Sequence, residues 1–190
     1  DIMGVSINHL NAPHKEEAFW LSPENIVVID SEIDPPNKFT EYTLKPLETT
    51  QPSNSIQQIK LRLKVKPRAL FCVNTPNGEQ CTNEDIYSAA DKVYYTLEFR
   101  QPIDYDVGLT NSIYTGVMLH ISAEPKLGQP FQTNLINYDE VKTTISGQEF
   151  IVALPPKLQV GQTFEDIANG YKVTLQSADA NGAVVKIEKI

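Results

Sequence analysis

Acidic pairs are the first side chains in this 190-residue chain that could do chemistry. Asp104 and Asp106 flank Tyr105, and paired carboxylates of this kind can bind calcium or act as acid and base. Acids in loops are more often solvated or cap turns, so both interpretations stay open. Asp104, Tyr105 and Asp106 are therefore a candidate calcium or ligand loop.

The three histidines do not have the spacing of a zinc site. His9 and His14 are close in sequence, and His120 is far from both. A His-Glu-x-x-His helix, which places two zinc ligands and a general base on one face, does not occur. The sequence also lacks a Gly-x-Ser-x-Gly nucleophile elbow and a glycine-rich phosphate loop. We expect no catalysis by this chain alone and no cofactor in it.

The two cysteines lie on either side of a turn signal. Cys72 and Cys81 flank Pro76-Asn77-Gly78, and a turn there would bring the two thiols together. This arrangement predicts a structural disulfide, with two free thiols as the alternative. Since disulfides persist in oxidising compartments, it also predicts a secreted or cell-surface protein.

Charge and hydropathy exclude two classes of partner. The net charge of −8 makes nucleic acid an unfavourable partner. No apolar run approaches the roughly 18 residues of a membrane-spanning helix.

The chain starts at Asp1 without an initiator Met or a signal peptide, which we expect of a mature product, a fragment or a trimmed chain. Trp20, Tyr94, Tyr105 and Tyr114 are candidate sugar-binding aromatics, with core packing as the alternative.

Alternating apolar and polar residues must supply the elements that position these side chains. Residues 59–65 alternate Ile, Leu and Val with Lys60, Arg62 and Lys64, which predicts a strand with one dry and one wet face. Similar patterns recur at 95–99, 117–121 and 171–175, and turn formers separate the segments. The pattern predicts an all-β fold, an antiparallel β-sandwich of jelly-roll or Ig-like type. At most one or two short helices are expected, with candidates at 8–18 and 82–91.

The first residues carry a family resemblance. Three stretches resemble a segment of the gametolysin-like secreted zinc metalloproteases: Asp1-Ile2-Met3-Gly4, Asn11-Ala12-Pro13-His14-Lys15 and Phe19-Trp20-Leu21. In that family an acidic-x-Met-Gly segment forms the Met-turn beneath the zinc, and Asn-Ala-Pro-x-Lys and Gly-Trp-Leu stretches follow as the catalytic domain ends. Here Phe19 stands where the family pattern has glycine. Blocks similar to the family's later strands follow in order at 39–47, 94–106, 116–121 and 158–166.

The resemblance implies a role for few residues of this chain. Met3 would be the Met-turn methionine, which supports the zinc without binding it, and the zinc ligands would precede Asp1. Glu98 and Arg100 match the family pattern and share a strand face, so we expect a structural charge pair with partners on other strands. Zinc is then expected in the parent protein, a zinc metalloendopeptidase.

The implied domain organisation follows. Residues 1–21 would be the tail of a preceding catalytic domain or an N-terminal extension, and 22–190 the sandwich, with 157–190 as its closing strands or a small appendage. The implied function is a non-catalytic C-terminal domain that braces the catalytic domain of the same polypeptide or binds extracellular substrate. The alternative is a free-standing extracellular module that binds carbohydrate or protein.

Overall fold

Strands dominate the chain. The computed structural model describes residues 11–66, 69–75, 78–84, 90–103, 116–124, 132–135, 140–145, 148–153 and 157–190. These residues form one α-helix, α1 (Ala12–Glu17), and two 3₁₀ turns, Pro23–Asn25 and Pro36–Lys38. The strands are β1 (Ile26–Asp30), β2 (Glu41–Leu44), β3 (Gln58–Arg62), β4 (Ala69–Thr75), β5 (Gly78–Glu84), β6 (Lys92–Phe99), β7 (Gly116–Glu124), β8 (Gln132–Leu135), β9 (Glu140–Ile145), β10 (Gln148–Ala153), β11 (Lys157–Gln159), β12 (Thr163–Asp166), β13 (Tyr171–Asp179) and β14 (Gly182–Lys189).

Two sheets pack face to face, which confirms the predicted all-β sandwich. The first sheet has the order β1-β3-β6-β7-β11, and β8 also pairs with β7. The second has the order β12-β13-β14-β2, while β4-β5 and β9-β10 form separate hairpins. Among the strands that the structure describes, every pair is antiparallel except β1 with β3. That pair is parallel because the chain leaves β1, contributes β2 to the other sheet and returns along a long crossover.

The core lies between the facing sides of the two sheets. The first sheet contributes four apolar side chains that are buried, as the alternation predicts for its dry face: Ile59, Leu61, Leu97 and Leu119. The second sheet covers them with Tyr171, Val173, Leu175, Val185 and Ile187, all at most 1% exposed. The Tyr171 hydroxyl accepts the Ser31 N–H at 2.9 Å and lies 2.7 Å from the Arg62 carbonyl oxygen, so it also joins the sheets at one end of the core.

The last 34 residues supply strands to both sheets. β11 pairs with β7 in the first sheet, and β12, β13 and β14 build the second sheet with β2. Gly182 opens β14 with φ +149, and a Cβ there would lie 2.6 Å from the Leu44 carbonyl oxygen of β2. The close approach of β14 to β2 therefore requires glycine at this position.

The structure corrects two local predictions. Lys60 was expected on a wet strand face, but its side chain is only 2% exposed, because α1 lies over that face and supplies a carboxylate to the ammonium. Arg62, the last residue of β3, and Lys64, two residues beyond it, are exposed as predicted. The short helix predicted at 82–91 is wrong for 82–84, which belong to β5. The helix predicted within 8–18 is confirmed by α1, which has 6 residues. None of the described helices is long and apolar enough to cross a membrane.

The predicted turn between the cysteines joins β4 and β5. These strands pair antiparallel, and the register sets Cys72 directly opposite Cys81. Directly opposed residues of an antiparallel pair have Cα atoms about 4.5–5.5 Å apart, within the range that a disulfide spans. The backbone register is therefore compatible with a bridge, which stays a prediction.

Thiol titration tests the bridge. In the denatured, unreduced protein we expect no free thiol from Cys72 and Cys81, and reduction should lower the free energy of unfolding by about 2–3 kcal/mol, because the closed loop restricts the unfolded chain. The double substitution Cys72→Ala and Cys81→Ala should give the same loss without reductant. Two titratable thiols in the unreduced chain would refute the bridge and the location inferred from it.

Candidate functional site

The outward side of the first sheet is the most unusual surface of the molecule, because it is polar and yet buried. We call this surface the buried polar face. It consists of alternate residues on three adjacent strands: Gln58 and Lys60 on β3, Tyr94, Thr96 and Glu98 on β6, and Met118, His120 and Ser122 on β7. Each of these side chains is at most 6% exposed. Buried polar groups cost free energy unless they are paired, so their partners define what this face does.

Glu98 lies at the centre of this face and is fully buried. Its Oε2 accepts the backbone N–H of Ala12 at 2.5 Å, in the first turn of α1. Its Oε1 lies 3.2 Å from His120 Nε2, although the two atoms are too poorly aligned for a hydrogen bond. Burial by itself raises the pKa of Glu98, but His120, Arg100 and the Ala12 amide outweigh it and hold the pKa at about 2. Glu98 is therefore an anion that depends on α1 and β7 for its partners.

Arg100 takes its partner from another segment. Its Nε donates to Glu48 Oε1 at 3.2 Å, and Glu48 Oε2 accepts the backbone N–H of Gln101 at 3.0 Å. The sequence paired Glu98 and Arg100 as structural charges with partners elsewhere in the fold. The structure places Glu98 against His120 and Arg100 against Glu48, with Arg100 still lowering the pKa of Glu98.

Lys60 forms a second centre on the face. Its ammonium lies 2.9 Å from Glu16 Oε1 on α1 and 3.1 Å from Glu124 Oε1 on β7, and 4.4 Å from the centre of the Tyr94 ring. Burial tends to raise the pKa of Glu124, but Lys60 and Lys92 outweigh it and lower this pKa. The buried cation is thus compensated by a carboxylate from each neighbouring element.

α1 is positioned on the face by local sequence and by packing. Asn11 caps the helix, because its Oδ1 accepts the His14 N–H at 3.2 Å, and Pro13 occupies a position in the first turn where no donor is needed. Lys15 Nζ donates to the Leu47 carbonyl at 2.6 Å. Ala12, Leu21 and Leu47 form a small apolar cluster beside the polar contacts. Residues 11–21 are thereby attached near both ends, through Ala12 and Lys15 and through Leu21.

The helix ends in a conformation that favours glycine. Phe19 has φ +58, the Phe19 N–H donates to Glu16 O at 3.1 Å, and the Trp20 N–H donates to Lys15 O at 2.8 Å. This is the Schellman pattern, in which the residue after the cap adopts the left-handed region. Phe19 is 93% exposed and Trp20 66% exposed, so the turn holds two aromatic rings at the surface while Leu21 is buried.

The structure brings together residues that the sequence did not connect. Lys60 was expected on a wet face, and Glu16 and His120 were given no partner, whereas the structure pairs Lys60 with Glu16 of α1 and sets His120 beside Glu98. One signal was available: Thr96, Met118, His120 and Ser122 are largely uncharged, whereas a solvated strand face usually carries charges. Of the proposed sugar-binding aromatics, Trp20 is exposed and Tyr94 is buried.

Several predicted site residues lie outside the described residues. These are Met3, His9, Asp104, Tyr105, Asp106 and Tyr114. Within the described ranges, no three His, Cys, Asp or Glu side chains are grouped so that they could hold a metal ion. The contacts that the structure does describe attach the α1 segment to the first sheet.

Comparison with protein-family models, with curated proteins and with solved structures gives no match for this chain.

Replacing the central carboxylate tests its part in this attachment. Glu98→Gln keeps the shape of the side chain and removes the charge that faces His120 and accepts from Ala12, so we expect the free energy of unfolding to fall by about 2–4 kcal/mol. Urea denaturation measures the loss. Glu165→Gln is the matched control, because Glu165 pairs with Lys172 at the surface and should leave stability nearly unchanged. Equal effects of the two substitutions would contradict the assignment.

Relieving the left-handed residue should stabilise the chain. Phe19→Gly removes the Cβ that disfavours φ +58 and loses almost no packing, since the ring is 93% exposed. We expect a gain of about 0.5–1 kcal/mol in the free energy of unfolding by urea denaturation. Phe19→Ala is the control that removes the ring but keeps the Cβ, and a gain of the same size there would assign the effect to the ring.

Proposed function

We propose that this chain is the non-catalytic C-terminal β-sandwich domain of a secreted zinc metalloprotease, and that it braces the catalytic domain that precedes it. The observation that carries the proposal is the attachment of residues 11–21 to the buried polar face through Glu98. The resemblance assigns these residues to the end of the catalytic domain. A sandwich that binds this segment through buried charges would hold the catalytic domain in a fixed position.

The end of α1 gives independent support. The family pattern has glycine before the Trp-Leu pair, and this chain has Phe19 there, the feature in which it departs from the pattern. Phe19 nevertheless adopts φ +58, the conformation for which glycine is preferred. The backbone therefore has the geometry that the pattern implies even though the residue differs.

The exposed aromatic pair favours the second candidate function, a free-standing extracellular module that binds carbohydrate or protein. Phe19 and Trp20 are adjacent, exposed and held by a hydrogen-bonded turn. Aromatic rings presented in this way suit stacking against apolar surfaces of a ligand. In a parent protease the same rings would face the catalytic domain.

The parent protein separates the two candidates. The residues encoded before Asp1 should contain His-Glu-x-x-His within about 50 positions. In the parent protease, Glu98→Gln should shorten the half-life of peptidase activity on heating several-fold and leave the initial kcat/KM unchanged, because it weakens the brace and not the zinc site. Glu165→Gln should match the wild type in both measurements.

Three results would contradict the proposal. The first is a preceding sequence without a zinc motif, and the second is peptidase activity with tightly held zinc in residues 1–190 alone. The third is a Glu98→Gln parent whose half-life is unchanged. Saturable glycan binding by the isolated chain on an array, lost in Trp20→Ala, would support the binding module instead.

A further inference from the structure

The contact between α1 and the sheet contains a histidine on each side. His14 lies on α1, and its Nδ1 is buried without a hydrogen-bond partner among the described residues. His120 on β7 and Glu98 on β6 are close enough to act on His14 electrostatically, and they contact each other. A ring nitrogen that is buried and unpaired can take up a proton only by placing a charge in a site that offers it no acceptor.

The groups around His14 determine the direction of its response to pH. Burial is the largest influence and lowers the pKa of His14, and His120 acts in the same direction. Glu17 on α1 and Glu98 on β6 oppose this lowering without cancelling it. The other charges at the contact are already engaged, with Arg100 on Glu48 and Lys60 on Glu16 and Glu124. Neutral His14 is therefore the form that fits the docked helix.

We propose that α1 is an acid-sensitive latch: protonation of His14 releases residues 11–21 from the buried polar face while the two-sheet core stays folded. This goes beyond the proposed function, because it concerns how the chain holds its own N-terminal segment. The core residues that α1 does not touch, Val173, Leu175, Val185 and Ile187, carry no titrating group.

The sign follows from linkage between protonation and docking. In the released segment His14 is solvated and has its ordinary pKa of about 6.5, whereas in the docked helix its pKa is lowered. Below about pH 6.5 the released state therefore binds more protons, and docking weakens as the pH falls. Because only the released state binds this one proton, the docking equilibrium can change by at most about thirtyfold between about pH 7.5 and about pH 5.

Glu98 responds in a separate, more acidic range. Its pKa is about 2 when docked, against an ordinary value of 4.5, so its contribution is present above about pH 4.5 and is lost as the pH falls towards 2. The interval from about pH 7.5 to about pH 5 therefore reports on histidine alone.

Hydrogen exchange of the whole chain tests the latch. Protection factors of amides 12–21 should fall severalfold, up to about thirtyfold, between about pH 7.5 and about pH 5, and those of β13 and β14 should not change. His14→Gln places a neutral side chain on the helix and should abolish the fall. Glu165→Gln, which removes a charge from the surface pair with Lys172, is the control and should behave as the wild type.

Two results would overturn the proposal: a change of less than twofold in residues 12–21 of the wild type, or a fall that persists in His14→Gln. If His14→Gln does not dock at about pH 7.5, an NMR titration of the wild-type His14 ring decides instead. Its midpoint should lie below that of a solvated histidine and coincide with the loss of protection. A midpoint at or above the solvated value would refute the latch.

Discussion

A fully buried carboxylate, that of Glu98, is the group on which the arrangement of the N-terminal segment depends. An anion without solvent costs several kcal/mol unless charges and donors compensate it, and here the compensation comes from a histidine on the next strand and an amide of α1. The first sheet therefore depends on α1 for a partner of Glu98, and α1 depends on the sheet for its position. This mutual requirement fixes the helix at one place, whereas an apolar contact would permit neighbouring positions.

The two sides of the first sheet contribute different properties. The side towards the second sheet is apolar and supplies most of the hydrophobic burial. The other side carries polar residues with specific partners, such as Lys60 between two carboxylates and the Thr96 and Ser122 hydroxyls 2.6 Å apart. Gln58 Oε1, Glu98 Oε1 and His120 Nε2 on this side are buried without a hydrogen bond to any described residue. Burial of apolar area stabilises many packings, while paired polar groups select one. The sandwich thus separates stability and positional specificity onto opposite faces of the same strands.

The sequence predicts the fold class and the dry strand faces because alternation reflects one buried side directly. Ile59, Leu61 and Leu97 lie where that pattern puts them. It does not predict the burial of Lys60, since a polar strand face looks the same whether water or a docked helix covers it. Nor does it predict that α1 docks on Glu98, which is separated from Ala12 by 86 residues and approaches it only through tertiary packing. A local sequence pattern shows which residues lie on the same side of a strand. Whether that side is covered by another element depends on segments that are distant in the sequence.

The order of the strands has a kinetic consequence. β2 and β14 are far apart in the sequence and pair with each other, so the second sheet cannot close before β14 has been synthesised. Until then the edge of β2 and the apolar side of β3, β6 and β7 have no cover, a condition in which strands associate with other chains. Pairings of such large sequence separation also slow the search for the native topology. Folding of this domain is therefore expected to be completed only after β14 has been synthesised and to benefit from a chaperone that shields the first sheet.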